Sequence, residues 1–135
     1  MSHGPLLLAI ETATAAASVA LLRGDALLAS RALTGERPAS EALLPAVIAL
    51  LEEAGVALAA IEAFAVSVGP GSFTGLRVGV ATVKGLAFGS EALVVAVPTL
   101  AALALRVAPA PGPVAAVLDA RRGEVYAALY AGDPA

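Results

Sequence analysis

The residues able to do chemistry in this chain gather at three places. Glu11 and Thr12 close an apolar run, Pro5–Glu11. A carboxylate and a hydroxyl at a strand end could hold a cation or water beside a nucleotide, or simply hydrogen-bond the following turn. The second place is Gly69-Pro70-Gly71-Ser72-Phe73-Thr74-Gly75 with Arg77 just beyond. A glycine-rich loop entering a helix is the generic geometry for phosphate, because free N–H groups and the helix dipole face the anion. This loop lacks the Gly-Lys-Ser/Thr ending of a P-loop and the dinucleotide GxGxxG, so a purely structural turn stays open as the alternative. At the third place Asp119 and Glu124 flank a turn with Arg121 and Arg122, where local ion pairing is the default.

Composition removes several classes of chemistry. The chain has no cysteine and one histidine, His3, so thiolate, disulfide and imidazole chemistry have almost nothing to work with. Ser72 lies in no G-x-S-x-G elbow, and without a histidine partner protease and esterase readings fail. No metal site is expected. A net charge of −3 with only two Tyr and three Phe argues against nucleic-acid binding by this chain alone. Hydrophobic residues make up 59%, yet no uninterrupted apolar run reaches the roughly 18 residues of a spanning helix. Met1–Pro5 carries no basic region of a secretory signal. The expectation is a soluble, cytoplasmic protein with no membrane partner. Charged residues are only 14%, against roughly 25% in typical domains, which suggests that a partner covers part of the apolar surface.

The elements that must position these residues follow from periodicity and punctuation. Pro5–Glu11, Ala17–Leu22 and Ala26–Ala32 read as a three-strand meander, with Arg23-Gly24-Asp25 as a hairpin turn rather than an adhesion motif. Thr34–Ala39 is turn-like. Ser40 is the expected cap of a helix to Ala54 with Gly55 as its stop. A short helical turn at Ala57–Ala60 leads into a strand at Phe64–Val68. The glycine loop and a helix capped by Ser72 or Thr74 follow, then a strand at Leu93–Val97 and a Thr99-capped helix at Leu100–Ala108. Pro109–Pro113 reads as the one clear linker, and Val114–Asp119 with Glu124–Tyr130 as a closing hairpin. The order β-β-β-α-β-α-β-α implies an α/β fold with a mixed sheet. Domain limits are expected at 1–108 for the lobe, 109–113 for the linker and 114–135 for the opening hairpin of a second, similar lobe. A faint echo of Ala9-Ile10-Glu11-Thr12 in Val117-Leu118-Asp119-Ala120 supports that last division.

The two long helices carry unusual faces. Leu43, Val47 and Leu50 belong to a stripe broad enough to contact both the helix's own sheet and a second body. In the later helix Leu76, Val80, Val83 and Ala87 suit packing on a sheet, whereas Gly75, Gly79, Thr82, Leu86 and Gly89 form a face of small residues. Interior glycines cost about 1 kcal/mol each relative to alanine. A second helix backbone lying very close is the expected reason for them, with burial inside the domain as the plain alternative.

GPGSFTGLRVG, preceded by LAIETAT and followed by LDARRGEVYAALY, closely resembles the TsaB (YeaZ) family of bacterial tRNA threonylcarbamoyladenosine biosynthesis proteins. The match runs along essentially the whole chain in order and spacing. The resemblance implies a ribonuclease H-like/actin-like ATPase lobe, within the glycoprotease-like family of the actin/Hsp70-like superfamily, followed by the first hairpin of the second lobe. It implies a non-catalytic subunit pairing with the catalytic paralogue TsaD, joined by the ATPase TsaE, with tRNA met only through the complex and a homodimer when alone. It places the partner-helix interface on Leu43, Val47 and Leu50 with Gly75, Gly79, Thr82 and Leu86. No cofactor is expected to bind tightly, while ATP or ADP with Mg could enter the complex near Glu11 and Thr12. Family members usually carry Asp where Glu11 stands, and many open the first helix with a histidine where this chain has Pro38-Ala39-Ser40, so no metal ligand carries over. A different class of reading is an actin-fold ATPase or small-molecule kinase using Glu11 and the Gly69–Gly75 loop.

Overall fold

A computed structural model of the chain describes residues 3–33 and 35–132. Thr34, the start of the expected turn-like segment, and residues 133–135, the end of the expected hairpin segment, lie outside the described residues. Strands β1 (Leu6–Glu11), β2 (Ser18–Arg23) and β3 (Ala26–Ala32) precede helix α1 (Ala39–Ala54). Then come β4 (Ala63–Ser67), α2 (Phe73–Ala87), β5 (Leu93–Val97), α3 (Thr99–Ala104), β6 (Val114–Arg121) and β7 (Glu124–Tyr130). Short 3₁₀ turns at Leu58–Ala60 and Leu105–Val107 link α1 to β4 and prolong α3.

The first five strands form one sheet in the order β3-β2-β1-β4-β5. β1, β2 and β3 pair antiparallel, whereas β4 is parallel to β1 and β5 to β4. This is the mixed sheet expected of an antiparallel meander followed by parallel crossovers. In β1 the alternation of Leu6, Leu8 and Ile10 sends these side chains to one face, where all three are buried. Leu8 pairs with Leu21 and with Phe64, so the cross-strand register stacks the largest apolar groups at the centre. α1 and α2 cover that face.

Leu43, Val47 and Leu50 point inward, not outward. Leu50 is 0% exposed, and all three belong to the cluster containing Leu8, Ile10, Leu21 and Phe64. The expectation that they meet a partner is therefore corrected. Burying each is worth about 1.5–3 kcal/mol, and the sheet face opposite is the apolar surface that lies within reach. α1 instead turns Leu44 and Ile48 outward, at 47% and 49% exposure.

Three helix starts show how local chemistry settles boundaries. Ser40 does not cap α1. The cap is Pro38, in extended conformation, whose carbonyl accepts from the Glu41 and Ala42 amides. Pro45 inside α1 removes the donor that would meet the Glu41 carbonyl, and an Arg37 guanidinium Nη2 donates there instead at 3.4 Å. Gly55 ends the helix in the left-handed region, as expected. Ser72 caps α2, its hydroxyl accepting from the Gly75 amide at 3.2 Å. Thr99 lies inside α3, after a Pro98 cap, and the α-helix stops at Ala104 rather than Ala108.

β6 and β7 form a separate two-stranded sheet packed on α3, with Ala116 buried against Leu100 and Ala104. The Pro/Gly segment before it is no loose tether. The Ala110 amide donates to the Gly132 carbonyl at 2.7 Å, and a Cβ at Gly132 would overlap the carbonyls of Gly112 and Ala110. Among the described residues, no helix is long and apolar enough to cross a membrane. Substituting Gly132→Val should loosen this closure. Amide hydrogen exchange in β6 and β7 should accelerate while exchange in β1, β2 and β4 stays slow.

Candidate functional site

The site is built where β1 ends beneath the first turns of α2. The Thr12 hydroxyl, buried with its residue, donates to the Gly75 carbonyl at 2.7 Å. One residue on, the Ala13 carbonyl accepts from the Ser72 amide at 2.8 Å. These bonds hold two backbones so close that a Cβ at Gly71 would overlap Ala13. One at Gly75 would overlap the Thr12 carbonyl, and one at Gly79 the Thr12 hydroxyl. The small face of α2 thus exists for the chain's own strand end. The expectation that Gly75 and Gly79 admit a partner helix is corrected: Gly79 is buried, and what approaches is Thr12. Thr82 and Leu86 are half-buried beside Val83, and Leu86 packs on the core. Gly85 differs, since nothing lies within 4 Å of a Cβ placed there.

Glu11 and Thr12 are engaged within the protein. One Glu11 carboxylate oxygen accepts from the Ala13 amide at 2.6 Å, and the other accepts from the Ser67 hydroxyl. Glu11 and Ser67 line a hollow of about 160 Å³ on the sheet face away from α1 and α2, walled by Ala9, Ala20, Val97 and Ala102. The glycine loop opens elsewhere, onto a cleft of about 700 Å³. Its walls are Ala13-Thr14-Ala15, Gly71-Ser72-Phe73-Thr74, and the hairpin residues Leu118–Arg121 with Tyr126. Glu11 and the loop thus line different hollows. Each Glu11 carboxylate oxygen and the Thr12 hydroxyl already has one hydrogen-bond partner within the chain.

The cleft gathers residues that the sequence presents far apart. Asp119 and Arg121 had a visible signal, a charged turn, but Thr14 and Tyr126 had none. Asp119 Oδ1 accepts from the Arg121 amide at 2.8 Å. Arg121 and Arg122 hold φ of 66° and 55°, the left-handed region that non-glycine residues enter at a cost of about 1–2 kcal/mol each. Chemically the cleft offers hydroxyls, one guanidinium and one carboxylate around an open space. Among the described residues, no group of three His, Asp or Glu side chains could hold a metal ion.

Outside the cleft, the layer of α1 and α2 presents a second surface. Phe73 and Phe88, 73% and 90% exposed, stand at the two ends of α2, and Arg77 lies 5.3 Å over the Phe73 ring. Between them lie Ala81 and Lys84, both exposed, and on α1 Leu44 and Ile48 are exposed as well.

Five mixed strands in this order, backed by two helices with a glycine loop at the strand ends, define a ribonuclease H-like/actin-like α/β lobe. A family model described as "TsaD: tRNA N6-adenosine threonylcarbamoyltransferase" matches residues 33–133, and the chain belongs to that family. It is 42% identical over 129 residues to the Escherichia coli protein named tRNA threonylcarbamoyladenosine biosynthesis protein TsaB, covering 94% of this chain and 55% of that one. The Bacillus subtilis protein of the same name is 36% identical over 124 residues, covering 92% and 54%. Among solved structures, YeaZ from Pseudomonas aeruginosa superimposes with a TM-score of 0.85 at 44% identity, covering 96% of this chain and 62% of that one. The chain spans about half the length of the curated relatives it matches.

The glycines of α2 yield a paired test. Gly79→Ala should destabilise the fold by about 1–3 kcal/mol through overlap with Thr12. Gly85→Ala should stabilise it by about 0.5–1 kcal/mol, because an open helical site gains propensity alone. Urea unfolding of both variants measures the difference, and equal effects would break the assignment.

Proposed function

We propose that this chain serves tRNA threonylcarbamoyladenosine biosynthesis as a non-catalytic docking subunit. Its α1–α2 layer packs on the equivalent helices of a catalytic TsaD-like paralogue, which transfers the threonylcarbamoyl group to the adenosine beside the anticodon. A TsaE-like ATPase joins that assembly, tRNA is met only through it, and the setting is the cytoplasm. Alone, the chain pairs with a second copy through the same layer. The observation that carries this reading is the exposure of Leu44 and Ile48 on α1 and of Phe73 and Phe88 at the ends of α2, large apolar groups with no cover of their own. The relatives named for threonylcarbamoyladenosine biosynthesis support the pathway.

ATP or ADP with Mg would bind in the assembled complex rather than tightly to this chain, since Glu11 and Thr12 are occupied by Ser67, Ala13 and Gly75. The kinase or ATPase alternative is not favoured, because Glu11 and the Gly69–Gly75 loop open onto different hollows. The hairpin β6–β7 is read as the opening of a second lobe after the 109–113 junction. Val117, Val125 and Leu129 are exposed on it, at positions where further elements would pack.

Co-purification with the cognate TsaD-like protein tests docking. Leu44→Glu and Ile48→Glu should each weaken the complex more than about tenfold, the scale of an interface anchor. Leu50→Ala should instead cost about 2–5 kcal/mol of folding stability. If neither outward substitution changes the affinity measured by calorimetry, the layer is not the docking surface.

A further inference from the structure

The hairpin tip between β6 and β7 presents two arginine side chains that the fold leaves unpartnered. The local ion pairing expected at this turn is absent: among the described residues, Asp119, Arg121, Arg122 and Glu124 take part in no ion pair. The Asp119 carboxylate accepts from the Arg121 amide instead, so the acid serves the turn while both arginines stay exposed. The backbone runs against this choice of residues. Arg121 pairs with Glu124 across the two-residue loop Arg122-Gly123, and φ is 66°, 55° and 74° at positions 121, 122 and 123. Such a loop favours asparagine or aspartate before its glycine, and a left-handed bulge position beside it favours glycine. Arginine stands at both. Turn geometry accounts for neither side chain.

Arg121 stands on the wall of the cleft of about 700 Å³, and the other walls say what a guanidinium there would meet. Thr14, Ser72 and Thr74 supply hydroxyls, and Phe73 and Tyr126 supply rings. Arg77 already covers one face of Phe73, whereas Tyr126 sits on the same hairpin as the two arginines and is 39% exposed. A ring, hydroxyls and a cation around one open space are the chemistry that receives a nucleotide. Charge selects the kind. Arg121 and Asp119 are the charged side chains on these walls, and they offset one another. A free triphosphate would bring several negative charges to a wall with one guanidinium and a carboxylate. An RNA strand brings one per nucleotide, which Arg121 can meet, and Arg122, just off the wall, can meet the next along the strand.

We infer that the cleft between the glycine loop and the hairpin holds one nucleotide of a single-stranded RNA segment. Its base lies against the Tyr126 ring, its phosphate on Arg121, and the neighbouring phosphate on Arg122. This rests on the tRNA reading proposed above and adds a direct contact made by this chain within that assembly. The net charge is −3, so the contact is weak for the chain alone and gains its use beside a partner that also holds the RNA. Stacking and phosphate pairing tolerate any base, so the cleft positions RNA rather than reading its sequence.

Titrating the whole chain with a single-stranded RNA of about six nucleotides, followed by amide chemical shifts, tests the contact. Shifts should concentrate at Thr14, Thr74, Arg122 and Tyr126. Arg121→Gly and Arg122→Asn both suit the left-handed backbone. Each should slow amide exchange in β6 and β7 about fivefold and yet weaken RNA binding about threefold to tenfold. The log–log salt slope of the wild-type constant should be about −1.4, and each arginine variant should bring it to about −0.7. Tyr126→Leu keeps apolar bulk without the ring and should weaken binding about tenfold. Arg106→Gln, at an exposed arginine off the cleft walls, should leave binding unchanged. Slower exchange with no loss of affinity makes the turn purely structural and overturns the inference. An absence of shifts with RNA, or a salt slope unaltered in the arginine variants, does the same. If ATP displaces the RNA and binds these amides more tightly, the cleft is a free-nucleotide site and the RNA contact is overturned. Inorganic phosphate that moves the same amides as strongly as RNA overturns it too, leaving an anion contact only. The titration needs no paralogue, so failed co-purification with the TsaD-like protein would sink the docking reading without touching this result.

Discussion

Where β1 ends, the Thr12 hydroxyl reaches the Gly75 carbonyl and the Ala13 carbonyl takes the Ser72 amide. Backbone meets backbone there with no room for a Cβ at positions 71, 75 or 79. The position of α2 over the sheet depends on that approach, and so do the placing of the glycine loop and the walls of the cleft beside it. A buried hydroxyl bonded to a helix carbonyl is inexpensive to keep and costly to orphan, so the contact is stabilising only while both partners are in place. Glu11 serves the same turn by accepting from the Ala13 amide and the Ser67 hydroxyl. What resembles a ligand-binding acid is used to hold the strand end.

With α2 placed this way, the sheet decides which side of α1 is inside. Leu43, Val47 and Leu50 meet the strand face carrying Leu8, Ile10, Leu21 and Phe64, and that core consumes the deepest ridge of the helix. The residues one step round, Leu44 and Ile48, are left on the surface. The layer is therefore two-faced: an inner side committed to the lobe and an outer side on which Leu44 and Ile48 are exposed.

The cleft is a product of three turns, at Ala13–Ala15, Gly71–Thr74 and Ala120–Arg122, brought together by the packing of the hairpin on α3. The left-handed backbone at Arg121 and Arg122 turns β6 into β7 and sets Arg121 at the wall. Gly132 closes the base of the hairpin against the segment at Ala110–Gly112 by backbone contact, while Ala116 packs the hairpin on Leu100 and Ala104.

The order of elements, the mixed sheet and the left-handed stop at Gly55 were legible in the sequence because each rests on local spacing: period two in LLLAIE, an apolar stripe over one helix face, a glycine after it. The Ser40 cap misled because Pro38, two residues earlier, had already fixed the extended geometry a cap needs. The small face of α2 was visible as a spacing of glycines. Its partner was not, because Thr12 lies 63 residues from Gly75 in the chain and nothing local connects them. By itself the sequence determined the strands, the helices and the family to which the chain belongs. Only the tertiary structure decided that the glycines face Thr12 and that Leu43, Val47 and Leu50 are core while Leu44 and Ile48 are surface. Periodicity names a helix face, but only packing in three dimensions says which face the core requires.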